Sequence, residues 1–344
     1  MRSESTNPAA ASVDGDVIPL AVAGVEPGVT NGDGQTVALR VAADLFDTVS
    51  GAVRGKDQAV RLALVALLSG SHLLVEDVPG TGKTLLGKSL AAAIGGRFGR
   101  IQCTPDLLPS DLTGTSVYSP VTGSWDFRPG PVFANVVLVD EVNRASPRTQ
   151  AALLEPMEER QVPVDGVTHA LPDPCFMIAT QNPLGTTGTC PLPESQLDRF
   201  GIVLTMGLPG RDAEREILTG AGGAAVLPSL EPITNPVELR AVIAAVRRVY
   251  CADAVLEYVL DIAAAAREHG DVVLGASPRA TLAMFHAAQA HATMSRRHFV
   301  TPDDVKAVAP PALAHRLVFS NGVDVAAGHA TINAIIDSLP TPRP

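Results

Sequence analysis

The chain has 344 residues, of which 46% are hydrophobic and 18% are charged, and its formal net charge is −10. A chain of this length can bury a sizeable core and is expected to form two domains. The acidic balance and the lack of a basic stretch with interleaved aromatic residues argue against nucleic acid as a partner. No apolar run approaches the length of a membrane span, and no basic region precedes an apolar segment near the N-terminus. These features predict a cytoplasmic protein that does not insert into a membrane.

Residues 1–35 are rich in Ala, Gly, Pro, Ser, Thr and Asp and have no sustained period, so they predict a flexible N-terminal tail. Between residues 36 and 209, short apolar runs alternate with segments of helical periodicity. This alternation predicts an α/β core, in which a parallel five-stranded sheet is covered by helices on both faces. The expected strands are 71–76, 100–103, 136–139, 175–180 and 202–206.

Two segments of the core depart from this alternation. Residues 104–131 combine turn formers and hydroxyl residues with isolated apolar residues, and they contain the only tryptophan, Trp125. They predict a hairpin inserted into the core, with its turn at Thr122 and Gly123. Its tip is suited to contact a partner, and a plain surface hairpin is an equally good interpretation. Residues 161–171 predict a second hairpin.

The character of the sequence changes after Pro209 and Gly210, where strand patterns give way to helical ones. Residues 210–344 therefore predict a smaller all-helical domain. Ser277-Pro278 and Thr301-Pro302 each combine a capping hydroxyl with proline at the first helical position. Two helices of this domain are expected to begin at these prolines.

A glycine-rich turn follows the first expected strand. It consists of Gly80-Thr81-Gly82-Lys83-Thr84 and is typical of a phosphate-binding loop, or P-loop. In such a loop backbone N–H groups face phosphate oxygens, Lys83 reaches the terminal phosphates, and the Thr84 hydroxyl can ligate magnesium. The common pattern has glycine where this chain has Asp77; we expect a loop that still closes, because that position mainly shapes the start of the turn. The predicted nucleotide-binding residues are Val78, Pro79, Gly80, Thr81, Gly82, Lys83, Thr84 and Leu85.

Two carboxylates end the third expected strand. The apolar run 136–139 begins 53 residues beyond Lys83 and is followed by Asp140 and Glu141. Because ligands of open α/β sheets lie at the C-terminal ends of the strands, these carboxylates are expected beside the P-loop. We assign Asp140 to the Mg²⁺ ion, through a bound water, and Glu141 to the orientation of an attacking water. The sequence thus predicts ATP hydrolysis with Mg²⁺, and an ordinary strand-to-helix turn is the simpler alternative for the glycine-rich segment alone.

A helix is predicted to follow this strand. Ser146-Pro147 supplies a capping hydroxyl and a first-position proline, and the helical pattern ends near Arg160. The carboxylates Glu155, Glu158 and Glu159 are interpreted as a solvated face of this helix.

Several longer segments resemble the MoxR family of AAA+ ATPases. They are separate and ordered along the chain, and they cover most of residues 50–320, which makes the resemblance specific. The tail lies outside it. The segments are TPDLLPSD at 104–111, DEVNRA at 140–145, TQAALLE at 149–155, MEERQV at 157–162, ATQNP at 179–183 and PLPESQLDRF at 191–200.

The resemblance implies an AAA+ core with a helical lid, ATP at their junction, and a ring, usually of six subunits, in which each site is completed by its neighbour. It also implies roles for residues to which sequence spacing alone assigns no function. Asn182 matches the sensor that holds the attacking water together with Glu141. Arg199 matches the finger that reaches the γ-phosphate of the adjacent subunit, and Arg279 matches the second sensor, which couples lid position to nucleotide state. Gln102 resembles a residue that holds Glu141 away from the water until a substrate or partner binds.

Each of these assignments has a simpler alternative. Asn182 stands before a proline and suits an ordinary turn. Arg199 can instead form a surface ion pair with Asp198 or Glu194. Arg279 can be a solvated residue of a first helical turn, although arginine is poorly placed at that end of a helix unless an anion is near.

The motifs and the resemblance together predict an ATP-hydrolysing chaperone or remodelling machine that assists the maturation or assembly of a partner protein or complex. The resemblance also implies partners with von Willebrand factor A domains. Arg144 and Arg148 are candidates for a subunit boundary and receive no role. Two other functions stay open: a nucleic-acid motor or loader, which the acidic charge disfavours, and a non-hydrolysing nucleotide-dependent scaffold, which the intact P-loop and carboxylate pair disfavour.

Overall fold

The computed structural model describes residues 31–182, 189–219 and 223–342, with side chains from residue 33 onward. The strands are β1 (His72–Glu76), β2 (Phe98–Gln102), β3 (Gly114–Ser119), β4 (Ser124–Pro129), β5 (Val136–Asp140), β6 (Gln161–Val164), β7 (Val167–Ala170), β8 (Phe176–Gln181), β9 (Phe200–Leu204), β10 (Val272–Leu274), β11 (Val318–Phe319) and β12 (Gly322–Val323). The α-helices are α1 (Asn31–Ala52), α2 (Asp57–Leu68), α3 (Lys83–Ala93), α4 (Pro109–Thr113), α5 (Pro147–Glu159), α6 (Glu194–Leu197), α7 (Arg211–Leu218), α8 (Pro236–Val246), α9 (Asp253–Glu268), α10 (Pro278–Met294), α11 (Pro302–Leu313) and α12 (Val325–Ser338).

The main sheet has the strand order β2-β5-β8-β1-β9, and all its neighbouring strands are parallel. Every residue of β5 and β9 is buried, as expected for strands that are covered on both faces. The predicted α/β core with five parallel strands is confirmed, and each predicted strand end lies within two residues of the observed one. In this order the C-terminal ends of β1, β5 and β8 are adjacent, which brings the loops after them together.

Three helices begin where capping residues predicted them. The side chains of Ser146 and Ser277 each accept a hydrogen bond from the backbone N–H three residues further along the chain. Thr301 forms a capping box at the start of α11, and proline occupies the first helical position in all three helices. Helix α1 starts at Asn31, ahead of the expected residue 36. The rest of the predicted tail, residues 1–30, lies outside the described residues.

Both predicted hairpins are present. Strands β3 and β4 pair over Gly114–Pro129, and their turn contains Gly123 in the left-handed region, at a φ of +69°. Tyr118 and Trp125 lie near this turn with ring centroids 5.5 Å apart, and both side chains are exposed. Phe127 of β4 stacks on His169 of β7 at a centroid distance of 3.8 Å. The two hairpins are therefore in contact with each other.

The lid is helical, as predicted, and it also contains a small sheet of β10, β11 and β12. These strands are two or three residues long, too short to produce a strand period in the sequence. Helix α8 packs against α1, and α10 packs against both α2 and α11, so one hydrophobic cluster extends from the core into the lid. Among the described residues, no helix has the length and apolar character that crossing a membrane would require.

Candidate functional site

The P-loop joins β1 to α3 and encloses its own lysine. Gly80 and Gly82 have φ angles of +86° and +97°, a conformation that glycine adopts without strain. Helix α3 begins at Lys83, so the N–H groups of its first turn face the loop without partners inside the helix. The Lys83 Nζ donates to the carbonyl oxygen of Val78 at 2.6 Å. The ammonium group therefore lies within the turn, at the side where phosphate is expected.

Asp77 stands where the common P-loop pattern has glycine, and it is buried. Its Oδ1 accepts from the Val78 N–H at 2.7 Å, and its Oδ2 accepts from the Gly207 N–H at 2.6 Å. Lys56 Nζ donates to the carbonyl oxygens of Met206 and Gly207 at 2.9 and 2.6 Å. Burial lowers the pKa of Lys56, and the Asp77 carboxylate opposes that shift. The P-loop is closed, as expected, and its first residue is bonded to the segment that follows β9.

A cavity of about 480 Å³ lies in front of the P-loop, within the size range of small-molecule sites. Lys83 and Thr84 line it from the P-loop side, and Asp140 and Glu141 line it from the end of β5. Asn182, directly after β8, completes the same cavity. The structure thus brings together the residues that the sequence assigned to phosphate, magnesium and the attacking water.

Side chains that were not singled out from the sequence hold the two carboxylates. Arg100 Nε donates to Oδ2 of the buried Asp140 at 2.9 Å, and Arg100 Nη2 lies 2.9 Å from the same oxygen in an ion pair. Thr180 Oγ1 accepts from the Glu141 N–H at 2.9 Å and donates to Asp140 Oδ1 at 3.4 Å. Glu141 itself has a φ of +56°, a strained conformation for a residue with a side chain. Arg100 and Thr180 therefore fix both the charge environment and the backbone of the carboxylate pair.

The Glu141 carboxylate receives two donors on one oxygen. Gln102 Nε2 donates to Oε2 at 3.3 Å, and Arg144 Nη1 donates to the same atom at 2.8 Å. Arg100 and Gln102 are two residues apart on β2, so they point to the same face of this edge strand and each holds one carboxylate. Arg148, by contrast, is exposed and has no ion pair with any described residue. The two arginines left open from the sequence thus differ in their surroundings.

A buried thiol lies beside this cavity. Burial, together with the neighbouring Asp140 and Glu141 carboxylates, raises the pKa of Cys103 to about 12. A raised pKa favours the protonated thiol at neutral pH, which disfavours Cys103 as a nucleophile.

The two arginines implied by the resemblance lie in a second cavity, of about 220 Å³. Arg199 Nη2 is 3.4 Å from Glu158 Oε2, and Arg279 pairs with Oε1 of the same carboxylate. Glu158 is exposed, as the interpretation of a solvated helix face predicted, but it also pairs with two arginines, one of which belongs to the lid. Arg199 pairs with Glu158 and not with Asp198 or Glu194, the partners that the sequence suggested.

The two cavities have no lining residue in common. Lys83 lines the first, whereas Arg199 and Arg279 line the second. Within one chain, Arg279 therefore does not line the P-loop cavity, although the resemblance implied a nucleotide between core and lid. Among the described residues beyond β9, only Ala224 and Leu227 line the first cavity.

The first cavity has the chemistry that a magnesium nucleotide needs. Lys83 and the N–H groups at the start of α3 offer positive charge to phosphates, and a Cβ placed on Gly80 would meet no atom within 4 Å, so the space in front of the loop is open. The Thr84 hydroxyl and the Asp140 carboxylate are oxygen ligands of the kind that Mg²⁺ prefers. The strand order, the P-loop after β1 and the carboxylate pair at the end of β5 define the class of AAA+ P-loop ATPases.

Comparisons with known proteins agree with this class. Residues 72–202 match the family described as "ATPase family associated with various cellular activities (AAA)", and residues 264–337 match the AAA lid domain. A crystal structure from Cytophaga hutchinsonii ATCC 33406 has a TM-score of 0.82 and 31% sequence identity, and the match covers 91% of this chain and 98% of that chain.

Relatives from bacteria identify the family within the class. The chain is 47% identical to YeaC of Bacillus subtilis (strain 168) over 264 residues, which are 77% of this chain and 82% of the relative. It is 38% identical to Chaperone MoxR1 of Mycobacterium tuberculosis over 300 residues, which are 84% of this chain and 79% of the relative. The chain belongs to the MoxR family of AAA+ ATPases.

Proposed function

We propose that this protein hydrolyses ATP with Mg²⁺ and uses the reaction as a chaperone or remodelling machine for a partner protein or complex. The observation that carries the proposal is the single cavity lined both by the P-loop and by Asp140 and Glu141. A phosphate-binding loop alone supports binding only. Together with the carboxylate pair, it supplies the groups that phosphoryl transfer to water requires.

Each residue has one task in this proposal. Lys83 orients the terminal phosphates, while Thr84 and Asp140 hold the Mg²⁺ ion. When bound, the magnesium nucleotide supplies the phosphoryl group, and its metal neutralises charge on the phosphate oxygens. Glu141 orients the attacking water and takes up its proton, and Asn182 holds the same water from the end of β8.

We extend the proposal to a homo-oligomeric ring of six subunits, in which Arg199 and Arg279 of one subunit serve the nucleotide of the next. Their cavity is lined by five arginines and two carboxylates, so it has an excess of positive charge that suits a triphosphate. Arg199 Nε is buried and has no hydrogen-bond partner among the described residues, so this donor is unsatisfied within the described part of the chain. In this arrangement the core (36–209) and the lid (210–344) of one subunit act together on a neighbour.

The chaperone part of the proposal is supported by the relatives and by one surface. The name of the relative Chaperone MoxR1 carries that role. The tip of the β3–β4 hairpin exposes the rings of Tyr118 and Trp125, which offer apolar contact to a protein client. A partner with a von Willebrand factor A domain belongs to the proposal on the family resemblance alone.

Two substitutions test the hydrolysis. Lys83→Ala should weaken the binding of a fluorescent ATP analogue at least tenfold, because the ammonium inside the loop is lost. Glu141→Gln should keep that binding and lower phosphate release at least a hundredfold. Lys306→Ala is the matched control, since Lys306 lies on α11 and does not line the P-loop cavity. Unchanged nucleotide affinity in Lys83→Ala, or unchanged turnover in Glu141→Gln, would remove that residue from its assigned role.

Mixed rings test the action between subunits. Arg199→Ala subunits keep their own Glu141, and Glu141→Gln subunits keep their own Arg199. Each variant alone should be inactive, whereas a mixture should regain part of the phosphate release at the boundaries where both residues are intact. A mixture that is no more active than its two components would argue against action across the boundary.

The client role needs a separate test. Glu141→Gln rings loaded with ATP should retain client proteins that Lys83→Ala rings do not, because only the former hold the nucleotide without turnover. Bound proteins should then be released when the ATP is removed. Equal retention by both variants would contradict a nucleotide-dependent remodelling role.

A further inference from the structure

Two consecutive lid residues hold the backbone on both sides of Arg199. Arg316 Nη2 donates to the carbonyl oxygen of Asp198 at 2.8 Å. His315 Nε2 donates to the carbonyl oxygen of Phe200, also at 2.8 Å, and because that oxygen can only accept, the proton is on Nε2. The turn that carries Arg199 is thus fixed by the lid and not by the core alone.

The side chain of Asp198 joins this turn to the helix that carries Arg279. Its Oδ1 lies 3.0 Å from Arg316 Nε, and both carboxylate oxygens accept from the Ser277 hydroxyl, at 3.2 and 3.3 Å. Ser277 is the N-cap of α10, where it accepts from the Ala280 N–H at 3.0 Å. Arg279 follows two residues later. The Asp198 carboxylate therefore links the backbone segment that carries Arg199 to the helix start that carries Arg279.

Burial makes this link hard to break. The Arg316 side chain is 3% exposed, and burial lowers its pKa to about 10 while Asp198 opposes the shift, so it stays charged at neutral pH. A buried charge without a partner is strongly destabilising, which keeps Arg316 on Asp198. Burial also lowers the pKa of His315 well below its usual value, so the ring is neutral.

The segment that carries His315 and Arg316 is itself held in place. It forms a 3₁₀ turn, Ala314–Arg316, that lies against α12. A Cβ on Gly328 of α12 would stand 2.3 Å from the Ala314 carbonyl oxygen, so only glycine allows the two backbones to come this close.

We propose that Asp198, Ser277, His315 and Arg316 are positioning residues that lock Arg199 of the core and Arg279 of the lid into one unit, so that both arginines reach a neighbouring nucleotide together. The inference rests on the proposed action of these arginines between subunits. Their shared contact with Glu158 is consistent with a fixed distance between the two guanidinium groups. A lid that rotated on its own would have to break four contacts at Asp198 and Phe200.

The sharpest test changes Ser277, because Asp198→Asn leaves Arg316 buried without a counter-charge and risks unfolding. Ser277→Asp keeps a strong N-cap for α10 but sets a second carboxylate against Asp198, so the link should open while the helix stays capped. Ser277→Thr keeps the hydroxyl and is the matched conservative variant.

Mixed rings then distinguish two effects of the substitution: its effect on the arginines that a subunit supplies to its neighbour, and its effect on the subunit's own nucleotide site. In the donor arrangement, subunits that carry both Ser277→Asp and Glu141→Gln are mixed with Arg199→Ala subunits. We expect at least tenfold lower phosphate release than from the mixture in which the donors carry Glu141→Gln alone. Donors that carry both Ser277→Thr and Glu141→Gln should give nearly the same phosphate release as donors with Glu141→Gln alone. In the acceptor arrangement, subunits that carry both Ser277→Asp and Arg199→Ala are mixed with Glu141→Gln subunits. This mixture should release as much phosphate as the mixture of Arg199→Ala and Glu141→Gln subunits.

The outcomes distinguish the possible failures. Equal losses in the donor and acceptor arrangements would mean general structural damage and would overturn the positioning role, as would no loss in the donor arrangement. If the parent mixture of Arg199→Ala and Glu141→Gln subunits is inactive, the action between subunits fails first, and this inference fails with it. Binding of a fluorescent ATP analogue to Ser277→Asp subunits should stay within twofold of the unmodified protein in every case.

Discussion

Arg100 holds Asp140 with two nitrogens, because Nε and Nη2 both lie 2.9 Å from Oδ2. The carboxylate assigned to magnesium therefore already has a cationic partner. A fixed positive charge at this distance disfavours a divalent ion nearby, so part of the attraction between Asp140 and Mg²⁺ is offset by Arg100.

Removing this charge should change the magnesium requirement. We expect Arg100→Gln to lower the Mg²⁺ concentration for half-maximal ATP binding by about threefold to tenfold. The effect is limited to this range because the Arg100 side chain is half exposed and solvent screens its charge. Arg100→Lys keeps the charge and should behave like the unmodified protein. Arg97→Gln is the control, since this exposed arginine precedes the opposite end of β2. A magnesium titration with a fluorescent ATP analogue measures the effect, and an unchanged midpoint in Arg100→Gln would contradict it.

Arg144 should restrain Glu141. Its ion pair with Oε2 is partly exposed and therefore contributes at most about 1 kcal/mol, which corresponds to roughly fivefold in rate. Arg144→Ala should accordingly raise kcat by less than about fivefold, because Glu141 is freer to orient water. Arg148→Ala should leave kcat unchanged. Phosphate release at saturating ATP is the measurement, and a fall in kcat for Arg144→Ala would mean that Arg144 acts in the reaction.

Thr180 should align the carboxylate pair through its hydroxyl. Thr180→Val conserves the shape of this buried side chain but leaves the Glu141 N–H without its acceptor. We expect kcat to fall about tenfold, and the free energy of unfolding to fall by about 1–2 kcal/mol. Thr180→Ser, which keeps the hydroxyl, should restore most of the activity. Equal activity of the Val and Ser variants would show that the hydroxyl has no part in alignment.

Acid should destabilise the protein partly through His72. Its Nδ1 accepts from the Met177 N–H at 3.1 Å and its Nε2 donates to the Met157 carbonyl oxygen at 3.1 Å, and burial lowers its pKa to about 4, with a smaller contribution from Arg160. The unfolded chain therefore binds a proton more readily than the folded one. The stability is fully present above pH 6.5 and is lost as the pH falls toward 4, by about 3 kcal/mol for this residue.

Denaturant unfolding at a series of pH values between 7 and 4 tests this expectation. His72→Gln should be less stable at pH 7, because a hydrogen bond is lost, but its stability should fall less steeply with acid. His298→Gln, at an exposed position, controls for the removal of a histidine as such. Parallel pH profiles for the unmodified protein and His72→Gln would rule out the contribution.

The sequence predicted those parts of the molecule whose chemistry is local. The P-loop and the pair Asp140-Glu141 each occupy a few consecutive residues, and the strand that precedes each carries its own apolar signal. Ser277 and Thr301 marked helix starts for the same reason, since a cap and a proline are neighbours in sequence.

The sequence did not predict contacts between distant segments. Arg100 and Asp140 are 40 residues apart, and Glu158 and Arg279 are 121 residues apart, so neither pairing leaves a spacing that can be recognised. Glu158 has the spacing of a solvated helix face, and that spacing does not reveal its pairing with Arg199 of the core and Arg279 of the lid. Thr180 lies near the end of a strand whose preceding residues are apolar, so nothing in the local sequence marked its hydroxyl as functional.

Asp77 bears on how chains of this kind are recognised. A pattern search that demands glycine at this position would reject the protein, although its carboxylate fastens the loop to Gly207 through a hydrogen bond that glycine lacks. Asp77 therefore forms the same loop in a different way: its side chain fixes the start of the loop by a hydrogen bond, whereas the common pattern relies on the conformational freedom of glycine. Searches for phosphate-binding loops will find more members if they accept an acidic residue at this position whenever a hydrophobic strand with two terminal carboxylates follows.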